Sequence, residues 1–330
     1  MTLLHDRLLD LPIADSDAQA AVRERAANVL RPPGALARLD EVAVWVAGWQ
    51  RSETPRIERP VGLLFAGDHG VTEAAGVSAF PASVTAEVFA AVNHGKSTIN
   101  ALARTVGATV QAIDVGIGAP TGDIRVEAAM DQDRFDAVVA TAFDVVDALD
   151  ADLLVLGEMG IGNTTSAAAI AATLVGDETA TWVGRDTGID DEGLERKRGA
   201  VRQAHHRVAG ITDPLEILRH LGGTELVAMA AATVAARHRS IPVVLDGYVV
   251  TSSVLPLSLV DPGALDHCTV GHCSAEPGHR RLLEHLGKQP LLDLDMRLGE
   301  ASGAMAAVPL VAMACAGVTE VATLAEWFDQ

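Results

Sequence analysis

Between residues 60 and 300, short, mostly apolar runs recur, and nearly every one ends in glycine and polar residues. The runs are Val61–Ala66, Val110–Val115, Leu153–Leu156, Ala180–Val183, Pro242–Leu245 and Leu291–Leu294. A strand buried on one face alternates apolar and polar residues. One buried on both faces reads as a continuous apolar stretch. The runs therefore predict an α/β fold, a mainly parallel sheet flanked by helices, with the Ala-rich segments between them as crossovers. The runs lead into Gly67-Asp68-His69-Gly70, Gly116-Ile117-Gly118, Gly157 to Thr164, Gly184-Arg185-Asp186-Thr187-Gly188, Asp246-Gly247-Tyr248 and Asp295 to Glu300. Ligands of open parallel sheets sit outside the carboxyl ends of the strands. The pattern points to an enzyme acting on a small molecule.

The flanks read differently. Ala18–Val29 and Ala35–Trp49 are helical candidates separated by Arg31-Pro32-Pro33-Gly34. Ala301 to Val318 carries no charge over 18 residues. It is built mostly from Ala, Gly, Ser and Val, which suits a buried core helix better than a membrane span. With 25 basic against 44 acidic residues, the net charge of −19 repels phosphate backbones, and 3% aromatics leave little for base stacking. Neither nucleic acid nor membrane is an expected partner. Three cysteines and no secretory leader pattern make the reducing cytoplasm the expected compartment.

Within this frame five motifs carry chemistry. Gly157 to Thr164 reads G-x-x-x-x-G-N-T between a strand and a helix, as a phosphate-binding loop does. Asn163 stands where a triphosphate loop carries Lys, so a sugar phosphate or monophosphate fits better than ATP. An ordinary strand-to-helix turn is the plainer alternative. The polar helix expected over Asp190–Arg207 offers Lys197 as a phosphate cation or as part of a solvated face. In Gly67-Asp68-His69-Gly70, Asp68 is expected to brace the turn, a reading preferred over catalysis by His69. His267-Cys268, His272-Cys273 and His279 have spacings compatible with zinc. Gly271 and Ser274-Ala275-Glu276-Pro277-Gly278 make the same stretch read as another ligand loop, with Ser274 toward a phosphate. Glu300 opens the uncharged segment, where desolvation raises a carboxyl and a helix N-terminus lowers it. It suits either a general base or a first-turn helix partner.

Taken in order, FAGDHGV at 65–71, GEMGIGNTT at 157–165, GRDTG at 184–188 with Lys197, VVLDG at 243–247, GHCSAEPGH at 271–279 and LGEASGA at 298–304 resemble the nicotinate-nucleotide–dimethylbenzimidazole phosphoribosyltransferase family, from about Arg31 to Ala316. The resemblance implies a Rossmann-like α/β domain over 59–300. It also implies a small helical domain drawn from 1–58 and 301–330, and a homodimer. It implies transfer of phosphoribose from nicotinate mononucleotide to 5,6-dimethylbenzimidazole, with no cofactor and no metal. By the same resemblance Glu300 is the catalytic base and Glu158 a second active-site carboxylate. Gly160, Ile161, Gly162, Asn163, Thr164, Lys197 and Ser274 would contact the nucleotide phosphate. Ser78, Phe80, the Val84 to Val88 segment with Glu87, and Leu298 would belong to the base pocket, with Glu87 standing where many members carry Gln. Another sugar-phosphate enzyme on this sheet, or a non-catalytic nucleotide- or azole-binding module, would share these loops. Release of nicotinate separates the readings.

Overall fold

The computed structural model describes residues 2–186 and 188–329. Thr187 of the GRDTG motif therefore lies outside the described residues. Six strands, β1 Pro60–Gly67, β2 Thr109–Gly116, β3 Leu153–Met159, β4 Val243–Leu245, β5 Cys268–Cys273 and β6 Pro290–Asp293, form one sheet in the order β2-β1-β3-β4-β5-β6. Every pairing is parallel. Side chains of a strand point alternately to the two faces, and the central strands feed two cores in that way. Leu63, Phe65, Leu154, Leu156, Val243 and Leu245 enter one. Leu64, Leu153, Val155 and Val244 enter the other. The unbroken apolar runs are thus two interleaved half-patterns, which is why the parallel sheet was legible.

The sequence expectation needs two corrections. Ala180–Val183 is no strand, and its residues fall in a 3-10 turn, Thr179–Trp182. Trp182 is fully buried there. Its indole donates to the Gly176 carbonyl at 2.8 Å, and its own carbonyl accepts from Tyr248 Oη at 3.0 Å. The apolar run serves a buried plug. Conversely β5 is a strand that the apolar pattern missed, because Thr269 and His272 interrupt it. It pairs with β4 and β6 and is buried all the same.

The chain ends meet on one face. Helices Ser16–Asn28, Arg38–Gln50 and Ser302–Thr319 share the second core. Arg25 Nε donates to the Val318 carbonyl at 2.9 Å, and the Leu30 N–H to that of Ala322 at 2.8 Å. Ser302–Thr319 is long and apolar enough to cross a membrane by length and composition, yet 56% of it is buried inside the fold.

Glycines let this last helix lie directly on strand backbone. A Cβ on Gly157 would fall 2.3 Å from the Ala301 nitrogen, and one on Gly271 2.4 Å from Ala304 Cα. Both obstacles are backbone, so no rotamer relieves them. The close approach brings Glu300 to the C-terminal edge of the sheet. We expect Gly271→Ala to cost at least about 2 kcal/mol, toward the upper part of the usual overpacking range. Urea unfolding would check it, and an unchanged midpoint would refute the tight contact.

Candidate active site

In a strand order of 2-1-3-4-5-6, connections leave β1 and β3 toward opposite sides, and a crevice opens between their carboxyl ends. The cavity opens over the carboxyl ends of β3, β4 and β5, with its floor in the loop after β3 and its far wall in residues 297–300. The helix Asn163–Leu174 starts in the loop. Its cap position, Gly162, has φ +94° and gives no side-chain hydrogen bond to the first turn. A helix start left open in this way presents N–H groups to an anion. Gly162 is also obligatory for space, because a Cβ would sit 2.1 Å from Thr72 Oγ1.

Of the residues singled out in the sequence, the cavity is lined by Glu158, Gly160, Ile161, Gly162, Asn163, Thr164, Ser274, Phe80, Leu298 and Glu300. Ser78, Glu87 and Lys197 stand outside its wall. Ser78 Oγ accepts the Phe80 N–H at 3.1 Å. Glu87 is exposed on the helix Val84–Asn93, whose Val84 and Val88 line the cavity instead. Lys197 is 1% exposed, so it forms no solvated face. Its Nζ donates to Thr164 Oγ1 at 2.7 Å, and that hydroxyl donates on to Asp186 at 2.9 Å. The cation therefore stands one side chain behind the wall and orients the Thr164 hydroxyl.

The His267–His279 stretch is spread along β5 and the helix after it. His267 points away from the cavity, donating through Nε2 to the Thr233 carbonyl at 2.9 Å. His279 Nδ1 accepts the Ser274 N–H at 2.8 Å, and burial pushes its pKa down to about 3. It is a neutral brace under Ser274. Burial pushes the Cys268 thiol up to about 12, so it carries no thiolate. Among the described residues no cluster of three or more His, Cys, Asp or Glu could hold a metal. Asp68 braces the neighbouring turn after β2 rather than its own, accepting the Gly118 N–H at 2.8 Å.

Carboxyls dominate the electrostatics. Burial raises Glu158 well above its ordinary range. The carboxylates of Glu225, Asp246 and Asp186 push it further, against the amide donated by Asn163. Burial raises Glu276 and Glu300 as well. Asp246, beneath the cavity, is pushed up to about 7 by burial, and the backbone N–H of Ala304, donated at 2.8 Å, opposes the shift. Glu300 has φ +57° and Ala301 φ +60°. Left-handed backbone at a non-glycine residue costs about 1–3 kcal/mol and persists where the surroundings impose it. Here the glycine contacts under Ala301 and Ala304 and the Asp246 tie impose it.

Sequence reasoning missed Asp186, Tyr248, His272, Glu276 and Arg297, all on the wall. Each lies in a motif already noted or beside Leu298, but nothing in a lone residue type reveals which way a loop side chain turns.

The comparisons with known proteins agree with this geometry. A family model described as phosphoribosyltransferase matches residues 11–327. The chain belongs to that family. It is 45% identical over 325 residues to a nicotinate-nucleotide–dimethylbenzimidazole phosphoribosyltransferase of Methylorubrum extorquens, covering 98% of this chain and 94% of the relative. A protein of that name from Mesorhizobium japonicum is 47% identical, with 96% and 94% covered. The crystal structure of CobT from Thermus thermophilus superposes with a TM-score of 0.89 at 38% identity, covering 94% of this chain and 98% of that one. The family's parallel sheet is therefore the one described above.

The raised carboxyls make stability depend on pH. Folded Glu158 and Asp246 hold protons that the unfolded chain has released, so stability is lost as pH rises through their window. For Asp246 that window runs from 3.8 to about 7. These carboxyls should draw Tm down as pH rises toward 7, while buried His267 and His279, whose pKa values are pushed down to about 3, draw it up with rising pH below about pH 6.5. Glu158→Gln, neutral at every pH, should flatten the decline and raise Tm at the alkaline end. Calorimetry across pH checks both, and a steeper decline in the variant would contradict the assignment.

Proposed function

We propose that this chain transfers phosphoribose from nicotinate mononucleotide to 5,6-dimethylbenzimidazole, giving α-ribazole 5′-phosphate and nicotinate, in synthesis of the lower ligand of cobalamin. The observation that carries the reading is one cavity with an open helix N-terminus on its floor and a half-buried carboxyl, Glu300, opposite. The first suits a single phosphate and the second a proton acceptor.

In this reading the Gly160–Thr164 loop and Ser274 hold the phosphate. Lys197 acts through the Thr164 hydroxyl. Phe80, Val84, Val88 and Leu298 form an apolar wall for the azole, and Ser78 shapes the Phe80 turn. Two carboxyls in different surroundings take different roles. Glu158, pushed up by burial and by three other carboxylates, orients the ribose. Glu300, raised by burial alone, is the proton acceptor of this reading. The unprotonated azole nitrogen attacks C1′ with its lone pair. The C1′–nicotinate bond breaks, and its electron pair neutralises the pyridinium. The proton on the azole's other nitrogen passes to Glu300. Nicotinate leaves as a neutral ring, so it needs no acid, and holding both partners in line supplies much of the acceleration. Attack opposite the leaving group turns a β-nucleotide into an α-riboside.

We also propose a homodimer working in the cytoplasm, and a small domain made of 1–58 with 301–330. Three free, buried cysteines suit a reducing compartment. Exposed Leu324, Trp327 and Phe328 suit a covered face.

Glu300→Gln should lower kcat by about 10²–10⁴-fold with nucleotide binding retained. Wild-type turnover across pH 6–9 would overturn the base assignment. Lys197→Ala should weaken nicotinate mononucleotide more than azole in steady-state assays. The anomeric proton of the purified product, read by NMR, should report an α-riboside, whereas a β-riboside would rule out single displacement.

A further inference from the structure

Beneath the glycine loop lies a buried polar chain that lines no part of the cavity. His69 and Glu225 are enclosed, with His69 Nε2 2.5 Å from Glu225 Oε1. His69 Nδ1 is 3.1 Å from Ser166 Oγ. The residues come from the turn after β1, the first turn of the helix Thr224–His238 and the first turns of Asn163–Leu174. Polar groups this deep cost stability unless paired, and apolar side chains would fill the space without that penalty. What directional bonds add over apolar contact is a fixed position.

The group they fix is the loop. Gly160 rests on the pair: a Cβ there would lie 3.0 Å from Glu225 Oε1 and 3.2 Å from His69 Nε2. The Gly160 carbonyl accepts the Asn163 N–H at 3.1 Å, and the Asn163 amide donates to Glu158. Ser166 follows Asn163 by nearly one helical turn. The chain thus bears on the loop at its first glycine and grips the helix into which the loop runs.

We propose that His69, Glu225 and Ser166 are positioning residues for phosphoribosyl transfer, fixing the height of Gly160 and the start of the Asn163 helix and so the place of the nucleotide phosphate. The proposal rests on the reading of the site as a phosphoribosyltransferase centre. The azole wall, built on Phe80, Val84, Val88 and Leu298, takes no bond from His69, Glu225 or Ser166, and its helix meets the loop one residue past Gly160, where the Ile161 N–H donates to Thr85 Oγ1 at 3.2 Å. The two substrates should therefore respond differently.

The test compares Glu225→Gln, Ser166→Ala, His69→Ala and His69→Gln with the wild-type enzyme. Nicotinate mononucleotide and dimethylbenzimidazole binding are measured separately by calorimetry, beside steady-state kinetics and Tm. Small displacements of a bound group cost up to about 10²-fold. We expect Glu225→Gln and His69→Ala to weaken the nucleotide by about 10- to 100-fold, with azole affinity held. Ser166→Ala, the mildest change, should shift the nucleotide in the same direction by less. His69→Gln, whose amide reaches Glu225, should recover much of what His69→Ala loses. Nucleotide affinity unchanged in folded Glu225→Gln and Ser166→Ala would overturn the proposal. So would a parallel loss of both affinities with Tm, the mark of a merely structural role. If the wild type bound the nucleotide yet released no nicotinate, the functional reading would fall, and the binding comparison would still decide this one.

Discussion

The contact of the Ser302–Thr319 helix with bare strand backbone sets the geometry of the whole catalytic edge. Gly157 on β3 and Gly271 on β5 admit Ala301 and Ala304 at distances that any side chain would forbid. The Asp246 carboxyl, at the end of β4, accepts the Ala304 N–H in the same place. Three neighbouring strands thus hold one helix start from below. That grip forces the turn at residues 299–301 into left-handed backbone and aims Glu300 across the crevice. A looser helix would leave this carboxyl free to swing, and orientation is where a displacement reaction gains most.

The electrostatics answer an apparent paradox. In the proposed reading, a chain with net charge −19 receives an anionic nucleotide in a cavity walled by Glu158, Asp186, Glu276 and Glu300. Burial eases it by raising Glu158 and Glu276 toward their neutral forms. Lys197 and Arg297 supply positive charge, one behind the wall and one on it. The remaining attraction comes from uncharged dipoles, the peptide dipoles at the start of the Asn163 helix, which no side chain caps. Such dipoles recognise a phosphate without requiring a basic surface, so the protein's overall charge stays available for solubility.

How much of this was legible in the sequence depended on the kind of constraint. The parallel sheet was, because burial on both faces leaves an unbroken apolar signature in β1, β3 and β4. The glycine loop was, because only glycine tolerates its backbone and its approach to Thr72. Strand β5 was not, because its His272 and Gly271 answer to the site and to helix packing rather than to strand periodicity. Trp182 imitated a strand because burial alone produces an apolar run. Lys197 was found, but as a cation of unknown facing, since a sequence does not say that a helix side is packed against another helix. The His69–Glu225 contact spans 156 residues, and no local pattern announces a partner at that separation.

The glycine at the start of the Asn163 helix has a consequence for the life of the molecule. Some helices of this chain bring their own cap, as Asp15, Asp131, Asp190 and Asp213 do. The Asn163 helix has no such side chain, and in the proposed reading a nucleotide phosphate completes its first turn. Part of the folded state's free energy is thereby handed to a metabolite, by mass action. In a cell whose supply of that anion runs low, the edge of the sheet that performs the reaction would be the least secured part of the protein. Turnover of the chain would then follow supply of its substrate, with no regulatory domain needed.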